Sequence, residues 1–124
     1  MSERRTEDRK KVMAFTLVRD QRQGALIGYL GNLTLRGALL IGEKPLDVNE
    51  HVPLEMEFPS APTEAHAPRL LLEARVVRCV SDPENPREFN IGVEFLQVNE
   101  AQAQLIQSLL ERYHFRYQEG ANLL

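Results

Sequence analysis

The sequence predicts a mainly β fold of about six strands in a small barrel or sandwich, followed by one C-terminal helix. Three observations lead there. Short apolar stretches alternate with polar positions up to residue 97. Clusters of Gly, Pro, Asp and Asn separate those stretches at intervals that suit a small all-β architecture. Beyond Asn99 the apolar spacing changes from two to the 3.6 of a helix.

In chain order, residues 1–11 (MSERRTEDRKK) are charged and carry no apolar periodicity, so they read as a flexible arm. The run VMAFTLV at 12–18 is the first strand, and DQRQG turns the chain. ALIGYLGNLTL at 25–35 is the second strand. Arg36 and Gly37 interrupt it, and ALLI at 38–41 resumes it as the third. In HVPLEMEF, Val52, Leu54, Met56 and Phe58 fall on one face, with Glu55 and Glu57 on the other. PSAPTEAHAP carries three prolines in ten residues and forms a loop. Residues 70–80 are the longest strand, with Leu70, Leu72, Ala74, Val76 and Val80 expected on a common inner face. FNIGVEF places Phe89, Ile91, Val93 and Phe95 inward. Asn99 with Gln102 three residues later forms a capping-box pattern, and Leu105, Ile106, Leu109, Leu110 and Tyr113 recur at helical spacing. The expected organisation is an arm at 1–11, a β-barrel at 12–98 and a helix at 99–119, within a single domain spanning 4–119.

Composition excludes several functions. The chain has 124 residues, 15 Lys and Arg against 18 Asp and Glu, and a net charge of −3. A duplex-DNA binder needs a net basic face to displace counterions. No apolar run approaches the roughly 20 residues of a membrane span, and MSERRTEDRKK lacks the apolar region of a secretory signal. One cysteine, Cys79, rules out a disulfide framework and points to a reducing compartment, with the cytoplasm as the expected location. Cys79 lies mid-strand beside valines and reads as a buried, inert thiol. His51, His66 and His114 have no metal-ligand spacing, so no metal site is expected. No catalytic constellation is visible, and the chain is not expected to be an enzyme.

The charge is unevenly distributed. Residues 1–36 hold eight Lys and Arg against four acids, whereas 37–124 hold seven against fourteen. Two strings stand out in the basic third. The first is R-x-x-x-R at Arg5 and Arg9, with Arg4 directly before it. The second is Asn32-Leu33-Thr34-Leu35-Arg36-Gly37, an N-x-T-x-x-G string at a strand end, where Asn32 and Thr34 share a face. Gly37 there lets the backbone turn or keeps a Cβ out of a ligand's way.

The two strings together, in this order, resemble the PilZ domain family, whose pattern is R-x-x-x-R in an N-terminal arm followed by [D/N]-x-S-x-x-G at the end of an early strand. NIGVEF is similar to the family's last strand. The resemblance implies a six-stranded antiparallel β-barrel with a C-terminal helix, binding cyclic di-GMP as a ligand without any cofactor. Arginine suits that dianion: it forks onto guanine O6 and N7, pairs with phosphate and stacks on a purine. The resemblance assigns Arg5 and Arg9 to a clamp, Asn32 and Thr34 to polar contacts with a guanine edge, and Gly37 to an open surface. It assigns Arg4 to binding of an intercalated ligand dimer. Thr34 departs from the family serine: the hydroxyl is kept, while a methyl adds bulk and stiffens χ1. Arg78 interrupts an apolar strand face and either snorkels past the rim or stacks on the ligand. Lacking an output domain, such a receptor would signal through a partner protein that the sequence does not name. The alternative is a PilZ-like adaptor that binds its partner without the nucleotide. Tyr113, Phe115 and Tyr117 leave two docking options, the barrel or a second subunit of a homodimer.

Overall fold

The structure is a computed structural model that describes residues 16–59 and 65–116. Six strands, β1 (Leu17–Asp20), β2 (Ala25–Leu33), β3 (Gly37–Gly42), β4 (His51–Glu57), β5 (Arg69–Ser81) and β6 (Phe89–Leu96), precede one helix, α1 (Glu100–Arg116). Every strand pair is antiparallel, and the order β1-β2-β3-β6-β5-β4 closes on itself through the β4–β1 pairing. Closure removes the exposed sheet edges that would otherwise recruit other chains.

Alternation builds the core. Val52, Leu54 and Met56 of β4, followed by Phe58, all point inward and are buried, as are Leu70, Leu72, Ala74 and Val76 of β5. Ile91 and Val93 join them from β6, with Phe89 and Phe95 packed partly against the cluster. The outer face of β4 and β5 is wet and charged, and both β4 glutamates are paired: Glu57 with Arg19 at 3.5 Å and Glu55 with Arg69 at 3.3 Å. Ile106 and Leu109 bring α1 into the same core.

The capping box of α1 is reciprocal. The Gln102 N–H donates to Asn99 Oδ1 at 2.7 Å, and the Asn99 N–H donates to Gln102 Oε1 at 2.8 Å. The same Gln102 amide uses its Nε2 to donate to the Leu71 carbonyl at 2.7 Å, so the cap also pins the helix start to β5. Tyr113, Phe115 and Tyr117 lie outside the described side chains.

Register shifts interrupt plain alternation in the β1–β2, β2–β3 and β5–β6 pairs, and the last two shape the outer surface around Asn32 and Arg78. In β2, Leu30 pairs with Leu40 but Asn32 pairs with Leu39, leaving Gly31 as an extra residue. In β5, Val76 pairs with Val93 but Arg78 pairs with Gly92, leaving Val77 as an extra residue. Each shift reverses which side chains face the core beyond it. Val80 is therefore not on the inner face with Val76; it is 41% exposed. Cys79 takes the inner position instead, opposite Ile91, and is only partly buried. Arg78 does not interrupt the inner face at all, because the shift has already carried it to the exterior.

Candidate ligand-binding face

Asn32 reaches the barrel exterior because of the extra residue at Gly31. Leu30 is in the core, and without the shift Asn32, two residues on, would follow it inward. With the shift, Leu33 enters the core and Asn32 faces outward across from Leu39. Gly31 suits this position because a Cβ there would meet the Ile41 side chain at 3.0 Å. The Asn32 amide makes no hydrogen bond to a described residue.

The residues after Asn32 form a tight turn into β3 organised by one hydroxyl. Thr34 N–H donates to the Gly37 carbonyl at 2.9 Å. Thr34 Oγ1 accepts from the N–H groups of Arg36 at 3.2 Å and Gly37 at 3.1 Å, and donates to the Gly37 carbonyl at 3.2 Å. A hydroxyl offers one donor and two lone pairs, and all three are engaged here. The Arg36 carbonyl accepts from Phe95 N–H at 2.8 Å, so the turn is also tied to β6. Gly37 has a packing reason of its own: a Cβ would lie 2.2 Å from the Val93 carbonyl oxygen across the β3–β6 pair. Neither of these duties, the hydroxyl as turn closer or the glycine as close-packing residue, was visible in the sequence. The signal was the T-x-x-G spacing itself, which fits a side-chain-closed turn.

The pairings across the barrel define an exterior row. Asn32 lies beside Leu39, Leu39 beside Gly92, and Gly92 beside Arg78. Gly92 leaves a gap in the row, with Arg78 exposed on its far side. A second row runs Gly37, Glu94, Arg75, His51. In it Arg75 donates from Nη2 to both Glu94 oxygens at 3.0 and 2.9 Å and from Nη1 to Asn49 Oδ1 at 2.6 Å. Arg36 and Arg78 form no ion pair with a described residue. The expected clamp residues Arg4, Arg5 and Arg9 lie outside the described residues. No cluster of His, Cys, Asp and Glu among the described residues is arranged for a metal ion, and no described helix is long and apolar enough to cross a membrane.

At the other end of β2 and β3, apolar side chains of Leu17, Tyr29 and Ile41 line a cleft of about 470 Å³. Burial and the nearby Glu88 and Asp82 carboxylates push the Tyr29 phenol above its usual value, so it stays neutral.

A closed six-stranded barrel with an appended helix and a polar, glycine-bearing turn on its outer wall defines a class of small β-barrel modules. The pattern of the PilZ domain matches residues 3–112, and the chain belongs to that family. Among curated proteins none matches. Solved structures share the fold, two of them as follows. The Bacillus subtilis inhibitor of motility MotI/DgrA superposes with a TM-score of 0.63 at 16% identity, over 82% of this chain and 46% of that protein. The PilZ domain of YcgR from Escherichia coli, solved with c-di-GMP, superposes with a TM-score of 0.60 at 15% identity, over 88% of each chain. The chain thus spans about half the length of the MotI/DgrA protein.

Proposed function

We propose that the chain is a cyclic di-GMP receptor that holds the nucleotide between arginines of its N-terminal segment and the exterior face around Asn32 and Gly37, and passes the signal to a partner protein. The observation that carries this reading is the outward Asn32 amide, without a hydrogen-bond partner among the described residues, beside the Thr34–Gly37 turn. Family membership and the c-di-GMP-bound YcgR relative supply the ligand. Chain direction supports the same reading. Thr16, the first described residue, accepts through its carbonyl from Leu30 N–H at 3.0 Å, so the chain enters β1 alongside the part of β2 that leads to Asn32. Arg9 is seven residues before Thr16, within about 25 Å of reach at full extension.

The roles then divide. Arg5 and Arg9 clamp the phosphates and guanines, and Arg4 extends the clamp toward a ligand dimer. Asn32 reads a guanine edge with its outward amide. Thr34 contributes by holding the turn, because its hydroxyl is already saturated. Gly37 keeps β3 close to β6 and the turn low. Arg78, across the Gly92 gap on the Asn32 row, offers a flat cation for stacking. Output runs through a partner protein that reads the ligand-bound surface.

Calorimetric titration of c-di-GMP into the wild type, Arg5→Ala and Arg9→Ala tests the reading. Binding by the wild type and loss of it in both variants are expected, and the stoichiometry reports whether one or two nucleotides bind. Unchanged binding by both variants overturns the clamp; no binding by the wild type overturns the receptor reading, and a partner protein bound equally with and without c-di-GMP then favours a nucleotide-independent adaptor.

A further inference from the structure

Glu94 is an acid placed beside a face proposed to bind a dianion. It pairs with Gly37 across the β3–β6 ladder, and an ideal Cβ on Gly37 would lie 3.3 Å from the Glu94 Cα. Its neighbour Val93 is in the core, so the Glu94 side chain projects outward, onto the surface that carries the Thr34–Gly37 turn. The next residue, Phe95, donates to the Arg36 carbonyl of that turn at 2.8 Å. A bare carboxylate one strand spacing, about 4.8 Å, from the turn would repel phosphate.

The carboxylate is not bare. Arg75, its cross-strand partner on β5, donates from Nη2 to both oxygens at 3.0 and 2.9 Å. Arg75 is held from its other side as well, by Asn49 Oδ1 at 2.6 Å. Asn49 is itself fixed: it sits at φ 76, and its N–H donates to the Val76 carbonyl at 2.7 Å. Glu50, next in the chain, accepts from Val76 N–H at 2.9 Å, so the 49–50 segment is clasped to β5. The guanidinium is therefore oriented by the fold, with Nη1 on Asn49 and Nη2 shared between the two carboxylate oxygens of Glu94 in a charge-assisted contact.

We infer that Arg75 is a positioning residue for nucleotide binding: by neutralising Glu94 it makes the face beside Gly37 permissive to a dianion, without touching the ligand itself. The inference rests on the c-di-GMP reading above, and it assigns a role to a residue outside both sequence motifs.

The experiment is c-di-GMP titration of the full chain in four forms: wild type, Arg75→Ala, Glu94→Gln and the double variant, each checked for folding by its thermal midpoint. Arg75→Ala uncovers Glu94 and is expected to weaken binding roughly three- to tenfold at low salt, with the loss shrinking toward nothing near about 1 M salt. The double variant is expected to recover to within about twofold of the wild type, because the charge that Arg75 masks is gone. Glu94→Gln alone leaves Arg75 uncompensated and is expected to bind at least as tightly as the wild type. Unchanged binding by Arg75→Ala overturns the inference. So does a double variant as weak as Arg75→Ala, which would mean that Arg75 contacts the ligand or supports the fold. Absence of binding by the wild type overturns the receptor reading and this inference with it; either of the other failures leaves the receptor reading standing.

Discussion

Thr34 and Gly37 bind one another in both directions: the Gly37 N–H donates to the Thr34 hydroxyl at 3.1 Å, and that hydroxyl donates back to the Gly37 carbonyl at 3.2 Å. The turn that presents Asn32 thus closes on a side chain rather than on a special backbone conformation. Thr34→Val keeps the shape and removes the oxygen, leaving the Arg36 and Gly37 N–H groups without their acceptor. The turn is exposed and water compensates in part, so a loss of about 1 kcal/mol in a denaturant melt is expected. Thr34→Ser restores the hydroxyl and should melt with the wild type. If Val and Ser variants melt alike, the hydroxyl does not hold the turn.

Gly37→Ala should be worse. Its methyl would sit 2.2 Å from the Val93 carbonyl oxygen, a backbone atom inside a closed barrel that has no flexible end to move. A cost of about 2–3 kcal/mol is expected. Gly92 is the control: a Cβ there meets nothing nearer than 3.6 Å, and Gly92→Ala should fold normally. Gly24 tests the opposite cause. It has φ +69 with nothing within 4 Å of a Cβ, so Gly24→Ala should cost only about 1 kcal/mol, from backbone strain alone. Equal midpoints for Gly37→Ala and Gly92→Ala would refute the close-packing account.

Much of this was legible in the sequence where local pattern and tertiary environment agree. Val52, Leu54, Met56 and Phe58 alternate and are all buried. Asn99 and Gln102 form the reciprocal cap that their spacing suggests. Legibility stopped at the register shifts. Whether Gly31 or Val77 becomes an extra residue depends on which partner residue it meets across the ladder, information that its own strand does not contain. Val80 was consequently expected inside and lies outside, and the outward turn of Asn32 comes from the same device. Thr34 and Gly37 were recognisable as motif residues by spacing. The turn that Thr34 closes is local, through Arg36 and Gly37, whereas the close packing of Gly37 depends on Val93, which only the folded chain brings beside it.

Asp20 closes the β1–β2 turn and sets a pH dependence. Hydrogen bonds from the Arg22 guanidinium, at 3.0 Å from Nε and 2.7 Å from Nη2, hold its carboxyl below the ordinary value of 3.8; partial burial opposes the shift, and the Arg22 N–H and charge reinforce it. A carboxyl depressed on folding stabilises the protein above its unfolded value, and that contribution is lost as pH falls through the lower folded value. Acid unfolding of Asp20→Asn should therefore lack this part of the slope below about pH 4. The effect is small, since the Arg22 side of the pair is half exposed to solvent and screened by salt. Parallel acid titrations of the wild type and Asp20→Asn, followed by circular dichroism, check it; a wild-type slope unchanged in the variant rejects it.

Asn32 separates ligand contact from fold maintenance. Unlike Thr34 and Gly37, its side chain makes no hydrogen bond to a described residue and packs on the outer wall opposite Leu39. Removing the amide therefore orphans no partner among the described residues, and Asn32→Ala should change stability by no more than about 0.5 kcal/mol. A nucleotide held at this face loses one or two hydrogen bonds to a guanine edge, so its affinity should fall about tenfold. Thr34→Val should show the reverse order of effects, with stability falling first and affinity following only as far as the turn loosens. Melting and titration of both variants side by side distinguish the roles. A destabilised Asn32→Ala that binds c-di-GMP as the wild type does would move Asn32 from the ligand to the fold, and would place the nucleotide elsewhere on the barrel.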